Sequence, residues 1–480
     1  MLEHVKSAKP VKLGYLPTHR FGVFATEAAK SQKDQIEQKL QQLGIEYVGL
    51  DWLNEEGLLY EPTDAPAVAE RFRREGVDAV FAAHCDFGQE VAVGRVCKAL
   101  RKPVLLWGPR DEAPAPTGER ERDTQCGLFA TSKLLRRLGL PFTYVVNCHL
   151  DDEVLARGMD LFLRAANVAR SVRGARIGQI STRPTPFTST MCNESELLER
   201  FDVELVPVTL PDVLADVRAG TGADDVAREV EGFRSRLKLG NAADDDLRRV
   251  ASLKLRLMEW AAREELDAIA IQCWDLRDDL GVVPCFVHGE LASEGIPVAC
   301  ETDVNGAITS LALQAAAMAR TPIFFADLTI RHPENDNSEL LWHCGPFPVC
   351  LAAEGAEPSM AGHYMVEGEP QGLGEFEIRG GSVTLGRFDG DNGEYRFLMG
   401  HAEGCEGPHT RGTYLWVQVP NWPLWEERLI YGPYIHHIVG IHGKLAPALY
   451  EGTKYLGVEP EPVQPTEEEI RGYMRGQAEL

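Results

Sequence analysis

Short apolar runs alternate with amphipathic stretches through about the first 150 residues, and this alternation is the strongest constraint on the fold. The apolar runs lie at residues 11–16, 47–50, 79–83 and 104–107, and the stretches with helical spacing lie at 25–43, 65–75 and 88–100. The runs are almost uninterrupted, which is typical of strands buried on both faces. Strands separated by helices of this length predict βαβ units and a parallel sheet.

The same alternation starts again after residue 150. A long helical stretch at 151–173 leads into predicted strands at 176–180, 203–208 and 266–271. A charged stretch at 223–265 is helical in pattern and is broken near Gly240. A second α/β domain is the simplest interpretation, and we expect it to end near the helix that follows Glu301.

The pattern changes after about residue 330, where glycine becomes frequent and helical periodicity disappears. Short runs typical of strands lie at residues 374–378, 382–385, 395–399 and 413–419. Residues 389–393 form a turn signal between two of these runs, and a helical tail is predicted at 466–479. The predicted fold is therefore α/β, with two Rossmann-like parallel-sheet domains at 1–150 and 151–318. A β-rich, barrel-like C-terminal domain follows at 319–480, in line with about 150 residues per domain.

Charge and cysteine content exclude several classes of function. A net charge of −24 opposes binding to phosphate backbones and anionic lipids, so neither nucleic acid nor a membrane is an expected partner. No apolar stretch reaches the ~18 residues of a membrane span, and residues 1–10 lack the apolar segment of a secretory signal. We therefore expect a cytoplasmic protein. Its 11 cysteines lack the local spacing of a zinc ribbon or finger and are expected to be reduced thiols.

Two carboxylates that follow apolar strands are the first candidates for chemistry. Glu301 follows the apolar residues 295–300 and precedes helix-forming residues at 308–318, while Asp327 closes the apolar residues 322–326. Functional residues of α/β sheets gather beyond the carboxyl ends of strands. Taken alone, Glu301 can also be an acid that stabilises a helix N-terminus, and Asp327 an N-cap or turn residue. Taken together, they predict a pair of ligands for a divalent metal.

Three histidines are candidates to complete that site. His343 follows an apolar segment, and a single histidine in this position can also be a purely structural hydrogen-bonding residue. Cys344 beside it does not suggest zinc, because no second cysteine lies at ligand spacing. His436 and His437 are adjacent, and neighbouring strand residues point to opposite faces, so at most one of them is expected to reach a given site. Carboxylates favour Mg, Mn or Ca, and an added imidazole shifts the preference toward Mn, Fe, Co or Zn.

Other polar residues at strand ends are candidates for substrate contacts. Arg20 follows the first predicted strand and can hold a hydroxyl or carboxylate of a substrate, although a loop arginine is usually just solvated. His84 follows the third strand in the same way. Gln272 and Trp274 follow the apolar strand that ends at Ile271 and can line a pocket. None of these segments carries a dinucleotide-binding or P-loop motif.

At these motifs the sequence resembles the L-fucose isomerase and L-arabinose isomerase superfamily, in particular its shorter fucose isomerase-like branch. The resemblance rests on residues 299–307 (ACETDVNGA), 322–327 (PIFFAD), 342–345 (WHCG) and 433–437 (PYIHH), which occur in the same order. It covers roughly residues 270–445, and the N-terminal third is similar in architecture more than in motif. The three-section layout, with a β-rich C-terminal domain, also agrees with that superfamily.

The resemblance implies specific roles for these residues. Glu301 and Asp327 match the two carboxylates that ligate Mn and act as base and acid, and one of His436 and His437 matches the late histidine ligand. His343 matches a histidine that is a ligand in arabinose isomerases but not in fucose isomerases. The resemblance also implies a homo-oligomer, with a hexamer expected, in which neighbouring subunits complete the pocket. The loop around Arg20 is similar to a substrate-contacting loop of fucose isomerases.

The function predicted from the resemblance is metal-dependent interconversion of an aldose and a ketose. A deoxy-sugar or pentose such as L-fucose or arabinose is the expected substrate, with Mn, or else Co, Mg or Zn, as the ion. An enediol mechanism is expected, although a metal-assisted hydride shift would use the same ligands. Two alternatives stay open at this stage. One is a non-catalytic sugar-binding or sensor protein, and the other is a metal-dependent epimerase or lyase acting on a related sugar.

Overall fold

The computed structural model describes residues 4–219 and 222–480. Two compact units can be distinguished within it. One comprises Lys9–Ala169, Glu451–Gly457 and Glu468–Leu480. The other comprises the residues up to Ala8 together with Arg170–Tyr450 and Val458–Glu467. The predicted division into three domains at 1–150, 151–318 and 319–480 stays a prediction.

The N-terminal unit contains a parallel five-stranded sheet in the order β2-β1-β3-β4-β5. Its strands are β1 (Leu13–Thr18), β2 (Tyr47–Val48), β3 (Ala79–His84), β4 (Val104–Trp107) and β5 (Thr143–Tyr144). The helices in this part of the chain are α1 (Thr26–Gln42), α2 (Ala65–Arg74), α3 (Glu90–Leu100), α4 (Thr124–Arg137) and α5 (Glu153–Val172). Every residue of β1, β3 and β4 is buried, as expected for strands covered on both faces.

A second parallel sheet, in the order β7-β6-β8-β9, lies in the other unit. Its strands are β6 (Arg176–Ile180), β7 (Glu204–Val208), β8 (Ala268–Ile271) and β9 (Val298–Ala299). The helices of this section are α6 (Glu194–Phe201), α7 (Leu210–Ala219), α8 (Ala223–Arg236), α9 (Asp244–Arg263), α10 (Cys273–Leu280), α11 (Cys285–Ser293) and α12 (Val304–Ala316). The predicted break near Gly240 is confirmed, because it lies between α8 and α9. Helix α12 is buried along its whole length, so its two ends are held firmly in place.

The C-terminal section forms a closed antiparallel barrel. Six strands close it: β10 (Phe324–Arg331), β11 (Ser338–His343), β14 (Ser382–Asp391), β15 (Glu394–Gly404), β16 (Thr413–Gln418) and β17 (His437–His442). The strands β12 (Ser359–Gly362), β13 (Gln371–Glu377) and β18 (Glu459–Pro462) extend the same sheet. The helices of this section are α13 (Trp422–Tyr431), α14 (Ala446–Leu456) and α15 (Glu467–Met474). The predicted fold class, two parallel α/β sheets followed by a barrel, is thus confirmed.

Two details of the sequence-based prediction are wrong. Asp327 was expected to close its strand, but β10 continues to Arg331 because antiparallel partners lie on both sides of it. Helical periodicity was expected to disappear after residue 330, but α13 and α14 lie in this section. Both helices are short, with 10 and 11 residues, so their spacing is masked by the alternating pattern of the strands around them. The hairpin turn signalled at 389–393 is confirmed, because β14 and β15 pair directly across it.

The helices in the described part of the chain do not combine the length and hydrophobicity that a membrane span requires.

Candidate active site

The carboxylates and imidazoles singled out in the sequence converge at one place. The nearest approach is made by His437, whose Nε2 lies 3.6 Å from Glu301 Oε2 and 3.6 Å from Asp327 Oδ1. His343 Nε2 lies 3.9 Å from each of the same two oxygens. His436 Nε2 lies 3.9 Å from Asp327 Oδ1. The five predicted ligands therefore form two overlapping groups that share His437: one contains Glu301 and His343, and the other Asp327 and His436. We call these five residues the carboxylate–histidine cluster.

Strand register brings the barrel residues of this cluster together. On β10, Asp327 lies opposite Trp342 of β11 on one side and opposite His437 of β17 on the other. His343 is the next residue after Trp342 and ends β11. Residues far apart in the sequence thus become immediate neighbours through antiparallel pairing.

Glu301 reaches the cluster through an unusual backbone conformation. It lies in a short 3₁₀ turn after β9 and has φ of 51° and ψ of 29°, in the left-handed region. Thr302 also has a positive φ, of 55°. Such conformations are costly for residues other than glycine and concentrate at functional sites. The alternative role for Glu301, stabilising the start of the next helix, is taken by Asp303, whose Oδ1 accepts a hydrogen bond from the Gly306 N–H at 2.9 Å.

The two oxygens of Glu301 have different environments. Oε1 accepts hydrogen bonds from the Trp274 indole N–H at 3.3 Å and from the Cys273 thiol at 3.5 Å. Oε2 is buried without a hydrogen-bond partner among the described residues and faces the histidines. Burial raises the pKa of Glu301 above its usual range, while the nearby His437 opposes the shift. One oxygen is therefore anchored and the other is available for a ligand.

Asp327 is the second carboxylate with an available oxygen. Its Oδ1 is buried and has no hydrogen-bond partner in the described part of the protein. Burial raises the pKa of Asp327 to about 7, although the neighbouring His437 acts in the opposite direction. Unpaired buried carboxylate oxygens are unfavourable unless a cation or a donor occupies the space they face.

A buried ionic network holds His437. The Nδ1 of His437 lies 2.8 Å from Asp303 Oδ2, so this ring nitrogen donates to the carboxylate and leaves Nε2 directed at the cluster. Arg387, which is fully buried, pairs with Asp303 through both terminal nitrogens and with Asp389 at 2.6 Å. Burial opposes ionisation of Asp303, but Arg387 and His437 outweigh it and hold the pKa of that carboxyl well below its usual range.

His343 has the opposite hydrogen-bonding arrangement. Its Nδ1 accepts a hydrogen bond from the backbone N–H of Cys344 at 2.9 Å. Burial also lowers the pKa of His343 well below its usual value, so the ring is neutral. A neutral imidazole that accepts at Nδ1 carries its proton on Nε2, the atom that faces Glu301 and Asp327. His343 is therefore set up to donate a hydrogen bond at the cluster.

The expectation that only one of the adjacent histidines could reach the site is wrong. His436 precedes the first residue of β17, so strand alternation does not turn its ring away from that of His437. The two ring centres are 4.4 Å apart. Their environments nevertheless differ, since His437 is 1% exposed while the His436 side chain is 43% exposed. Burial, followed by the effect of His437, lowers the pKa of His436 to about 4.

The three predicted substrate-contacting residues have separate surroundings. Trp274 adjoins the cluster through its hydrogen bond to Glu301. Gln272 is buried, and its side-chain oxygen caps α10 by accepting from the backbone N–H groups of Trp274 and Asp275. Arg20 lies in the N-terminal unit, where its guanidinium stacks 4.7 Å from the centre of the Phe87 ring. Contact of any of these residues with substrate stays a prediction.

A cavity of about 490 Å³ lies next to the cluster on the side of Glu301. Thr302 and Thr190 belong to its lining, and the Thr190 hydroxyl is 3.5 Å from the backbone oxygen of Glu301. Arg183 is the one cationic side chain among the described lining residues, and Glu194 is the acidic one. The cavity is large enough for a sugar-sized molecule.

Comparison with known proteins identifies the family. The family described as "Fucose/sulfoquinovose isomerase, N-terminal domain" matches residues 14–173. A sulfoquinovose isomerase from Priestia aryabhattai is 25% identical over 395 residues, which is 80% of this chain and 85% of that protein. These matches confirm the resemblance of the chain to the fucose isomerase-like family. The chain is an aldose–ketose isomerase, so the alternative of a non-catalytic sugar-binding protein is set aside.

Further relatives agree with this assignment. A sulfoquinovose isomerase from Alkalicoccus urumqiensis is 28% identical over 64% of this chain and 68% of its own length. Another, from Clostridium sp. (strain MSTE9), is 26% identical over 52% of this chain and 55% of its own length. Among solved structures, a periplasmic solute-binding protein from Actinobacillus succinogenes with bound D-allose aligns at 12% identity over 65% of this chain and 91% of its own. The TM-score of this alignment is 0.17, which is too low to indicate a shared fold.

Sequence reasoning missed the residues that support the isomerase's cluster. Asp303 was inside a recognised motif but was not assigned a role, and Arg387 and Asp389 were not singled out. One signal was available: Arg387 and Asp389 lie two residues apart on a strand and therefore share a face, where they can pair. The pairing with Asp303 depends on how the barrel meets α12, which the sequence does not reveal.

We expect Arg387→Met to lower the free energy of unfolding of the isomerase by about 3–5 kcal/mol, because it leaves Asp303 and Asp389 buried without a counter-charge. Arg396→Met is the matched control, since Arg396 is 42% exposed and its partner Glu461 keeps a second arginine, Arg428, at 3.5 Å. That change should lower the free energy of unfolding by less than about 1 kcal/mol. Denaturant unfolding of both variants measures the difference, and equal small losses would contradict the role of the network.

Proposed function

We propose that this isomerase uses a divalent metal ion, with Mn as the first candidate, to interconvert an aldose and a ketose of a hexose altered at C6. The observation that carries the proposal is the convergence of two unpartnered carboxylate oxygens, Glu301 Oε2 and Asp327 Oδ1, on the Nε2 of His437. The Nδ1–H of His437 is occupied by Asp303, which leaves Nε2 free to bind an ion.

The donors at this cluster suit a hard to borderline cation. Carboxylate oxygens favour Mg and Mn, and one imidazole nitrogen also admits Co or Zn. The surrounding carboxylates also make the site negative, and the pKa of His437 reflects this. Burial alone would lower that pKa, but the hydrogen bond to Asp303 and the negative charges of Asp303, Asp327 and Glu301 outweigh burial and raise it. When bound, the ion would polarise the sugar carbonyl and stabilise negative charge on O1 and O2.

The two carboxylates are the proposed proton-transfer groups. Isomerisation moves a hydrogen between C1 and C2 of the open-chain sugar. In an enediol mechanism, one of Glu301 and Asp327 removes the proton from C2, and the other returns a proton to C1 and moves the hydroxyl proton. The anchored Oε1 of Glu301 fixes the direction of Oε2, so its position relative to the sugar is set by Trp274 and Cys273.

His343 is proposed to assist as a hydrogen-bond donor. The sequence resemblance made it a possible metal ligand, but its Nδ1 accepts from the Cys344 N–H and its Nε2 carries the proton. An N–H group at this position can hold a sugar oxygen or a carboxylate of the cluster. We assign metal binding first to Glu301, Asp327 and His437, with His436 at the more exposed edge.

The proposed substrate follows from the cavity beside the cluster and from the sugar for which the relatives are named. The relatives are named for sulfoquinovose, a hexose with a sulfonate on C6, and the L-fucose suggested by resemblance is a 6-deoxy hexose. With C1 and C2 at the cluster, the distal carbons can extend past Thr302 into the cavity that Arg183 lines. A guanidinium is well matched to a sulfonate, because its donors form charge-assisted hydrogen bonds with anionic oxygens.

Three expectations from the sequence remain proposals. The isomerase is proposed to form a homo-oligomer, with a hexamer as the first candidate, in which the Arg20 loop contacts substrate bound to another subunit. It is proposed to be cytoplasmic. A metal-dependent epimerase or lyase would use the same ligands, so analysis of the products separates these activities from the proposed isomerisation.

Removing the metal should abolish turnover, and Mn or Co should restore it better than Ca. Glu301→Gln and Asp327→Asn should each lose bound metal and reduce kcat by about 10²- to 10⁴-fold, because each removes a ligand and a proton-transfer group. Glu339→Gln is the matched control, since Glu339 is also a buried carboxylate with an unpartnered oxygen but is not one of the cluster residues. Elemental analysis and a ketose assay measure both effects, and near wild-type activity in either cluster variant would contradict the proposal.

The two adjacent histidines should respond differently to removal. His437→Ala should lose the metal, because the Nε2 of His437 is directed by Asp303 and faces both carboxylates. His436→Ala should keep most of the metal, because the His436 side chain is partly exposed and, of the two cluster carboxylates, lies within 4 Å of Asp327 alone among the described contacts. Metal content measured for both variants decides the assignment, and the reverse result would exchange the two roles.

Arg183 should distinguish an anionic substrate from a neutral one. Arg183→Gln should raise KM for sulfoquinovose by about 10- to 100-fold, the equivalent of one charged hydrogen bond, and leave KM for L-fucose unchanged. Arg218→Gln, in a different surface cleft, should change neither value. If wild-type protein converts L-fucose or L-arabinose but not sulfoquinovose, the sulfonate proposal is wrong while the isomerase proposal stands.

A further inference from the structure

A second group of potential metal ligands lies apart from the five residues of the carboxylate–histidine cluster. The ligand atoms of Cys285, Cys344 and His363 all lie within 4.8 Å of one another. Cys285 is the first residue of α11, Cys344 directly follows β11, and His363 directly follows β12. We call these three residues the thiol–histidine group.

The spacing of this group is close to that of a tetrahedral zinc site. With Zn–S bonds of about 2.3 Å and Zn–N bonds of about 2.0 Å, ligand atoms in such a site lie roughly 3.5–3.8 Å apart. The ligand atoms are at most 4.8 Å apart, so side-chain rotations that shorten these separations by no more than about 1 Å reach that geometry. Two thiols and an imidazole form a soft donor set that favours Zn or Co over Mn or Mg.

The unpaired ring nitrogen of His363 indicates that this group binds a ligand. It is 7% exposed, and its Nδ1 is buried without a hydrogen-bond partner in the described structure. A buried polar nitrogen left unpaired is unfavourable, and a metal ion bound by the group would satisfy this ring. Ordinary apolar packing explains the two thiols, which lie beside Val283 and Leu373, but it does not explain the histidine among them.

The position of Cys285 in the fold stabilises the thiolate form that a metal needs. Cys285 lies at the N-terminus of the nine-residue helix α11, where unpaired N–H groups and the helix dipole stabilise negative charge. Arg277 and Arg411 are close enough to His363 to lower its pKa, after the larger effect of burial, so positive charge is present near the group. On metal binding each thiol loses its proton to solvent, and a dication neutralises the two thiolates.

We propose that Cys285, Cys344 and His363 bind one thiophilic divalent cation, with zinc as the first candidate, leaving a fourth position for water. This site is not recognisable in the sequence, because Cys344 has no cysteine at ligand spacing and Cys285 reaches it only through the fold. The proposal does not depend on the metal proposed at the carboxylate–histidine cluster. It does place a second ion next to His343, since Cys344 follows that residue and its sulfur lies 3.3 Å from His343 Nδ1.

Cobalt titration of the full-length protein, first loaded with Mn, tests the proposal. One equivalent of Co²⁺ should produce a sulfur-to-cobalt charge-transfer band in the near ultraviolet. Cys285→Ser and Cys344→Ser should abolish the band, and His363→Ala should weaken Co²⁺ and Zn²⁺ binding about tenfold or more. Glu301→Gln should leave the band intact, so failure of this site and failure of the proposed catalytic site give different results.

Cys273→Ser is the matched control, because Cys273 is a buried thiol beside Glu301 in another group of possible ligands. It should keep the band. Alkylation of the wild-type protein is a second measurement that does not depend on whether the variants fold. Zn²⁺ should slow alkylation of Cys285 and Cys344 but not of the exposed Cys126 and Cys350. No band at saturating Co²⁺, a band lost only in Cys273→Ser, or unchanged alkylation of Cys285 and Cys344 would overturn the proposal.

Discussion

The ion pair between Arg387 and Asp303 connects the parts of the structure on which the site depends. Asp303 caps α12, orients the imidazole of His437 and accepts two hydrogen bonds from Arg387, all with one carboxylate. Arg387 lies on the barrel strand β14, so this contact couples the barrel to the start of the helix that follows the second parallel sheet. A buried ion pair contributes little net stability, but loss of one partner is severe because the other charge stays buried. The ion pair matters here for position, because it holds the carboxylate that sets the direction of the His437 imidazole.

The strained backbone at Glu301 and Thr302 is held in place by contacts on both sides of the turn. Two consecutive residues with positive φ cost of order 1–3 kcal/mol each, and such conformations persist only where the surroundings over-determine them. The N-cap at Asp303 and the donors from Trp274 and Cys273 provide that restraint. The strained turn lets the carboxylate of Glu301 face the histidines, while the next acid along the chain serves the helix. Two acids in one motif thus have separate positions, one in the carboxylate–histidine cluster and one in the network that supports it.

The end of β11 lies between two different chemical environments. His343 faces the carboxylates, whose oxygens suit hard cations, and Cys344 faces Cys285 and His363, whose donors suit soft ones. Both residues are held by the same strand end, and Gly345 follows with a φ of 109° at a point where a side chain would collide with the backbone of Gly374. Any ion bound on the thiol side would therefore restrain the position of the histidine on the carboxylate side.

The sequence alone determined the alternation of strands and helices, the antiparallel C-terminal section and the carboxylates and histidines at the centre, because these features are local. Period-two and helical spacings, turn residues and short motifs are set within a few neighbouring positions. It did not determine that Asp327 lies within a strand, that both adjacent histidines reach the cluster, or that Arg387 is buried against Asp303. Each of these depends on strand register and on packing between residues far apart in the chain, such as the 84 positions that separate Asp303 from Arg387. Tertiary structure also decided which ring nitrogen of each histidine is free, because that depends on the partner its other nitrogen meets.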